Sequence, residues 1–159
     1  MQGRVAIPSL FERAGGEGPR YVPLAMADRH VGVALVNAVL GGLVHKLRSG
    51  EGQAIEVPMF ETMAQGVLGD HMMGANFDPP LGPAVYPRVV APNRRPYRTR
   101  DGHISALVYN DKQWSAFIEA VRPAWASDSY ATLAQRARQI DTVYALLGET
   151  FQGRTTQEW

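Results

Sequence analysis

The strongest pattern along the chain is an apolar run that opens just behind Asp28. Val31, Val33, Leu35, Val36, Val39, Leu40, Leu43, Val44 and Leu47 fall on more than one side of a helical wheel, with Gly32, Ala34, Ala38, Gly41 and Gly42 between them. The pattern predicts a helix over residues 28–48 that is apolar nearly all round, and such a helix belongs inside a larger structure. Asp28 is a residue type favoured at an N-cap. Lys46 and Arg48 fall in the last turn, where the helix dipole favours cations, and Gly50 and Gly52 supply the stop. Residues 53–57 alternate Ile55 and Val57 with Ala54 and Glu56 and read as a strand. Pro58 suits the first turn of a second helix, to about residue 73, carrying Met59, Phe60, Met63, Val67 and Leu68. Ahead of all this, a short helix or turn near residues 9–13 leads into a loop holding Gly15, Gly16, Gly18, Pro19 and Pro23.

Residues 74–93 hold five prolines, at positions 79, 80, 83, 87 and 92, with Gly74 and Gly82. They form a linker or a long ordered loop and mark the best domain boundary. Beyond it, Asp101-Gly102 lies between two extended runs, a hairpin signal. Asp111 is placed to cap a helix whose Trp114, Phe117, Ile118 and Val121 make one apolar face, closed by Pro123. A longer helix is predicted over residues 129–152, with Leu133, Ala137, Ile140, Tyr144, Leu147 and Phe151 as its stripe; the stripe is too short for a coiled coil and suits packing on a neighbour. Thr155 and Glu158 have capping-box spacing. That box announces a helix where the sequence stops, so the expectation is a piece of a longer chain.

Composition narrows the function classes. The 159 residues are 45% hydrophobic and 19% charged, enough for a core and too little charge for a disordered chain. A net charge of +1 gives no global pull towards nucleic acid or a membrane. There is no cysteine, which removes disulfides, thiolate zinc sites and cysteine nucleophiles. The stretch over residues 31–44 is shorter than the roughly 20 residues a membrane span needs, and no signal peptide is evident. The expectation is a soluble cytoplasmic protein with neither nucleic acid nor membrane as partner.

His30, His45, His71 and His103 are scattered without metal-ligand spacing, so no metal site is expected. Neither a Gly-x-Ser-x-Gly elbow nor a P-loop nor a dinucleotide fingerprint is present. Arg88, Arg94, Arg95, Arg98 and Arg100 form a basic run with Tyr86 and Tyr97 among them. It suits phosphate recognition, but a solvated hairpin whose arginines pair with Asp and Glu is the plainer account. Asp28 taken alone is a helix cap. A carboxylate at a helix N-terminus is also held ionised by the dipole, and an ionised carboxylate can act as a nucleophile.

Three segments in order carry a resemblance. Ala27-Asp28-Arg29-His30-Val31-Gly32 heads the apolar helix, Arg48-Ser49-Gly50-Glu51-Gly52-Gln53 ends it and feeds Glu56-Val57-Pro58, and Asn93-Arg94-Arg95-Pro96-Tyr97-Arg98-Thr99-Arg100-Asp101-Gly102 follows. This order resembles the family III CoA-transferases, the CaiB/BaiF family that includes formyl-CoA and carnitine-CoA transferases. It covers nearly the whole chain but only the middle of the family's length. The resemblance implies an α/β fragment: buried helices and a strand from the large domain over residues 1–75, a linker over 76–93, and an incomplete small α+β domain with a hairpin over 94–159.

The resemblance also implies a mechanism. CoA passes between an acyl-CoA and a carboxylic acid through an aspartyl-acyl anhydride and an aspartyl-CoA thioester. Asp28 stands at the nucleophile position, and Gly32, Asn93 and Arg94 at positions for substrate or CoA. No cofactor is implied, coenzyme A being a substrate, and relatives are interlocked homodimers. The glycine-rich loop of some relatives would fall at about residues 90–93, which contain no glycine. Two alternatives stand beside transfer: an α-methylacyl-CoA racemase of the same family, disfavoured by Arg29-His30-Val31 where racemases tend to be Gly-rich, and a non-catalytic truncated assembly module.

Overall fold

The computed structural model describes residues 1–159. The chain is mostly helical, with a two-stranded sheet, and it divides into two compact units that change over between Tyr86 and Pro87; residues 13–15 pack with the second.

In the first unit a 3-10 turn, Gln2–Val5, leads into α1 (Ile7–Arg13), followed by α2 (Met26–Ser49) and α3 (Met59–His71). Val5, Ile7, Ala27, Val31 and Met63 are its buried core, with Val22, Met26, Val57, Ala64 and Val67 packed around them. The α2 stop follows from backbone sterics: Gly50 takes a left-handed conformation, φ 79°, and its N–H reaches the Lys46 carbonyl at 2.8 Å. The start of α2 differs from expectation. It begins at Met26, two residues before Asp28, and Ala25 occupies the cap without a side-chain bond. Asp28 is therefore in the first turn and not the cap.

The apolar wheel of α2 meets few neighbours within these 159 residues. Val33 is 64% exposed and Leu47 85%, and Leu35, Val36, Val39, Leu40, Leu43 and Val44 are exposed as well. The helix has 24 residues, and an 18-residue window reaches a mean hydropathy of 1.4, so by length and composition alone it could cross a membrane. That corrects the expectation that no stretch is long enough; the helix runs past the apolar residues at both ends.

Residues 53–57 do not form a strand. They pair with no strand, and the ladder that defines a strand needs a partner. Instead Gln53 and Ile55 lie against α2 at Gly42, where an added Cβ would stand 2.7 Å from Ile55 Cδ1. The proline-rich segment is ordered. Leu81 donates to the Gly74 carbonyl at 3.0 Å, Tyr86 N–H donates to His71 Nδ1 at 3.2 Å, and Gly74 has no space for a side chain against Gly82.

The second unit holds β1 (Tyr97–Arg98) and β2 (His103–Ile104), antiparallel with Tyr97 opposite Ile104 and Arg98 opposite His103. The turn is not built on Asp101-Gly102 in the expected way. Thr99 N–H donates to the Gly102 carbonyl and Gly102 N–H to Thr99 Oγ1, both at 2.9 Å, which leaves Arg100 and Asp101 at the tip. Asp101 is drawn there by Thr156, whose N–H donates to its carboxylate at 2.8 Å.

After the hairpin come α4 (Asp111–Val121), α5 (Leu133–Arg138) and α6 (Ile140–Phe151). Asn110 caps α4, in a reciprocal box with Gln113, so the cap lies one residue before the expected Asp111. The single long helix expected over 129–152 is broken into a 3-10 turn at Asp128–Tyr130 and the two helices α5 and α6, which meet at Gln139. Two local causes act. Thr132 forms a capping box with Gln135 and starts α5 late. Arg136, 2% exposed, needs carbonyls outside a helix: its guanidinium donates to Tyr130, Ala131 and Tyr109 oxygens and to Asp111. The core of this unit is Ala91, Tyr97, Trp114, Val143, Tyr144, Leu147 and Phe151, with Tyr97 stacked on Phe151 at 5.0 Å between centroids. The Thr155–Glu158 box forms: Thr155 N–H donates to Glu158 Oε2 at 2.7 Å and Glu158 N–H to Thr155 Oγ1 at 3.3 Å.

Candidate active site

Asp28 owes its place to two neighbours in sequence. Ala27 and Val31, one turn apart, are the buried positions of α2 and seat its first turns on the Met63 core. That rotation turns Asp28 outward, exposed, in the first turn. No hydrogen bond or ion pair within the chain engages its oxygens. A nucleophile has to be available in this way.

Gly32 lies one turn further, on the same side of the helix as Asp28. Nothing stands within 4 Å of where its side chain would be. The glycine leaves open space beside the carboxylate. Leu35 and Val39 extend the same side, both exposed. The result is a carboxylate at the head of an open, apolar-sided strip. Next to it, His30 leans over α3, its Nε2 3.3 Å from the place a side chain on Gly66 would take.

Asn93 and Arg94 belong to the second unit. Asn93 is clamped, with both its backbone N–H and its Nδ2 donating to Asp141 Oδ1 at 3.1 Å. Arg94 is exposed, and its N–H is tied to the Ala91 carbonyl at 2.9 Å. Its charge reaches the Tyr97 phenol, but burial and the nearby Tyr144 win and push that hydroxyl up to about 12. Asn93 thus shapes the turn, and Arg94 is the residue of the pair that meets solvent. No group of three His, Asp or Glu side chains converges anywhere in the chain.

The sequence reading missed the Asp141 clamp, which joins residues 48 apart and leaves no local signal. It also missed Asn110, though Asn110 and Gln113 stand at capping-box spacing and could have been found. The arginine run departs from the expected solvated pairs: Arg100 reaches Glu158 at 3.8 Å, while Arg94, Arg95 and Arg98 are in no ion pair.

Comparison with known proteins now adds to this geometry. Among curated relatives, the chain is 29% identical to a succinate–glutarate CoA-transferase of Agrobacterium fabrum, over 96% of this chain and 38% of that protein. It is 27% identical to a probable fatty acyl-CoA transferase of Mycobacterium tuberculosis, over 89% of this chain and 39% of that protein. The chain thus spans under two fifths of the length of these relatives. Two crystal structures share the fold. A hypothetical protein from Mycobacterium tuberculosis matches with a TM-score of 0.68 at 22% identity, over 96% of this chain and 43% of the other. A CAIB/BAIF family protein from Brucella suis matches with a TM-score of 0.62 at 23% identity, over 99% and 42%. The family model described as CoA-transferase family III matches residues 1–159, the whole of the chain, and the chain belongs to that family.

Proposed function

We propose that this chain carries the nucleophile of a transferase that moves CoA from an acyl-CoA to a carboxylic acid, and that the nucleophile is Asp28. One observation carries the reading: in a chain matched throughout by the family, an unengaged carboxylate stands in the first turn of α2 beside the open space at Gly32.

The chemistry needs no redox step. A carboxylate oxygen of Asp28 attacks the thioester carbonyl; a C–O bond forms, the C–S bond breaks and CoA thiolate leaves. The thiolate attacks the aspartyl carbonyl of the anhydride, forming the aspartyl-CoA thioester and releasing the donor acid as its carboxylate. The acceptor carboxylate attacks that thioester, again expelling CoA thiolate. The thiolate then takes the acceptor's acyl carbon, giving the new acyl-CoA and the free Asp28 carboxylate. Coenzyme A is substrate throughout, and no metal or redox cofactor takes part. The dipole of α2 stabilises the charge on Asp28 each time it returns as a leaving group.

In this reading the first unit is part of the family's large domain, with α2 a core helix of a cytoplasmic enzyme. The second unit is an incomplete small domain. The bare side of α2 is a surface that further protein covers in a homodimer of the family. The same bare side favours the second reading, a non-catalytic assembly module. Hydroxylamine separates the two. Incubation with an acyl-CoA and hydroxylamine should leave a hydroxamate at Asp28, because hydroxylamine intercepts the aspartyl-CoA thioester; no hydroxamate, with no CoA binding, would leave only the assembly module.

A further inference from the structure

We infer that Gln2 is a positioning residue for Asp28: its side-chain amide fixes the entry to α2, and with it the place of the nucleophile. The inference rests on the reading of Asp28 as that nucleophile. α2 starts without the usual device. Ala25 holds the cap position and has no side-chain oxygen to offer the free N–H groups of the first turn. The Arg29 N–H donates to the Ala25 carbonyl at 3.1 Å, so Asp28 lies inside a turn that closes on an uncapped residue. Helix ends fray, and nothing on α2 itself opposes this.

The chain just ahead is tightly turned. Leu24 N–H donates to the Val22 carbonyl at 2.8 Å, and Met26 N–H to the Leu24 carbonyl at 2.7 Å. Each bond spans two residues, as in a γ-turn. Ala25, at φ −70° and ψ 58°, has the inverse γ geometry, and the fixed φ of Pro23 suits the centre of the other turn. Gln2 secures both turns. Its Oε1 accepts from the Val22 N–H at 2.8 Å, and its Nε2 donates to the Val22 and Leu24 carbonyls at 3.3 and 3.4 Å. One amide engages three backbone groups 20 and 22 positions away. These are the hydrogen bonds that residues 19–24 make to the rest of the first unit.

Gln2 is itself on a fixed support. Val5, in the same 3-10 turn, is buried with Ala27, Val31 and Met63. The Arg4 guanidinium lies 5.0 Å from the centre of the Phe60 ring on α3. The buried contacts of Ala27 and Val31 set the rotation of α2, while the Gln2 amide sets where its first turn begins. A reacting group displaced by about 1 Å loses on the order of a hundredfold in rate, so the second setting matters to chemistry as much as the first.

The test follows hydroxamate formation at Asp28 against acyl-CoA concentration in wild type, Gln2→Met and Val5→Ala, with amide exchange on each. Gln2→Met keeps the length of the side chain and loses the three bonds, whereas Val5→Ala loosens the same core and leaves them. Gln2→Met should lower the rate at saturating acyl-CoA at least about tenfold and leave the half-saturating concentration within about twofold. Val5→Ala should keep the wild-type rate wherever it is folded. The Val22 amide should be protected in wild type and open in Gln2→Met, while amides in the middle of α2 hold. Gln2→Glu, which keeps the acceptor for Val22, serves where Gln2→Met does not fold and should show the same split. An unchanged rate in the Gln2 variants, an equal loss in Val5→Ala, a change in half-saturation alone, or an unprotected Val22 amide in wild type would each overturn the positioning role. A wild type that forms no hydroxamate would overturn the proposed function and the role of Gln2 with it. A labelled wild type with an equally labelled Gln2→Met would remove only the role of Gln2.

Discussion

Asp28 shows how little one residue's local context decides. The sequence around it supports a helix cap, yet α2 begins two residues earlier and leaves Asp28 outward with no bond to make. Its contribution to stability is therefore limited to the helix dipole, about 0.3–1 kcal/mol. Asp28→Asn should change the urea midpoint only slightly while removing all hydroxamate formation; strong destabilisation would show that the carboxylate is structural. Arg136 is the opposite case. Its burial and its four acceptors predict that Arg136→Met unfolds the second unit more easily by about 3 kcal/mol, because three carbonyls lose their donor. Urea denaturation followed by tryptophan fluorescence measures this directly, since Trp114 lies under the guanidinium at 4.8 Å. A midpoint shift within error would mean that water replaces the arginine. Neither residue could be assigned from its neighbours. Asp28 needed three ordered segments to stand out, and the burial of Arg136 depends on oxygens up to 27 positions away.

Among the elements, what was legible in the sequence is what short-range physics sets. The α2 stop at Gly50 and the start of α3 after Pro58 follow from backbone sterics at single residues. Misread elements were set by features that the apolar pattern does not carry: residues 53–57 have strand alternation but no strand to pair with, and the 129–152 stripe is delayed by the Thr132 cap and cut at Gln139. The hairpin tip offers a test by pH. Thr156, through its N–H and then its hydroxyl, holds the Asp101 carboxyl below the usual carboxylate range; Thr155 does the same for Glu158, with Arg100 assisting. A depressed folded value means that the clamp is fully present above the unfolded values, near 4, and is lost as pH falls through the folded ones. Amide exchange at Thr156 should stay protected from neutral pH down to about 4 and open below that. Asp101→Asn should weaken that protection already at neutral pH. Protection that fades between pH 7 and 5 would contradict the assignment of the clamp to these carboxylates.

On the scale of the whole molecule, the sequence pattern of α2 calls for burial on all sides, and within this chain the structure does not supply it. The 159 residues cover only one side of its first turns, and Val33, Val36, Leu40 and Leu47 remain exposed. Such a surface should bind an apolar dye and drive association, and Val36→Glu with Leu40→Lys should suppress both in sedimentation and dye-binding assays. Unchanged association would place the sticky surface elsewhere. The two compact units and the candidate residues shared between them make the central claim a chemical one about a single atom group. It is tested most directly by incubating the chain with an acyl-CoA and hydroxylamine, then mapping the product by peptide mass spectrometry beside a full-length member of the family. A hydroxamate confined to Asp28 and absent from Asp28→Asn is the predicted result. An unmodified Asp28 while the full-length relative is labelled, or a hydroxamate on another carboxylate, would contradict it.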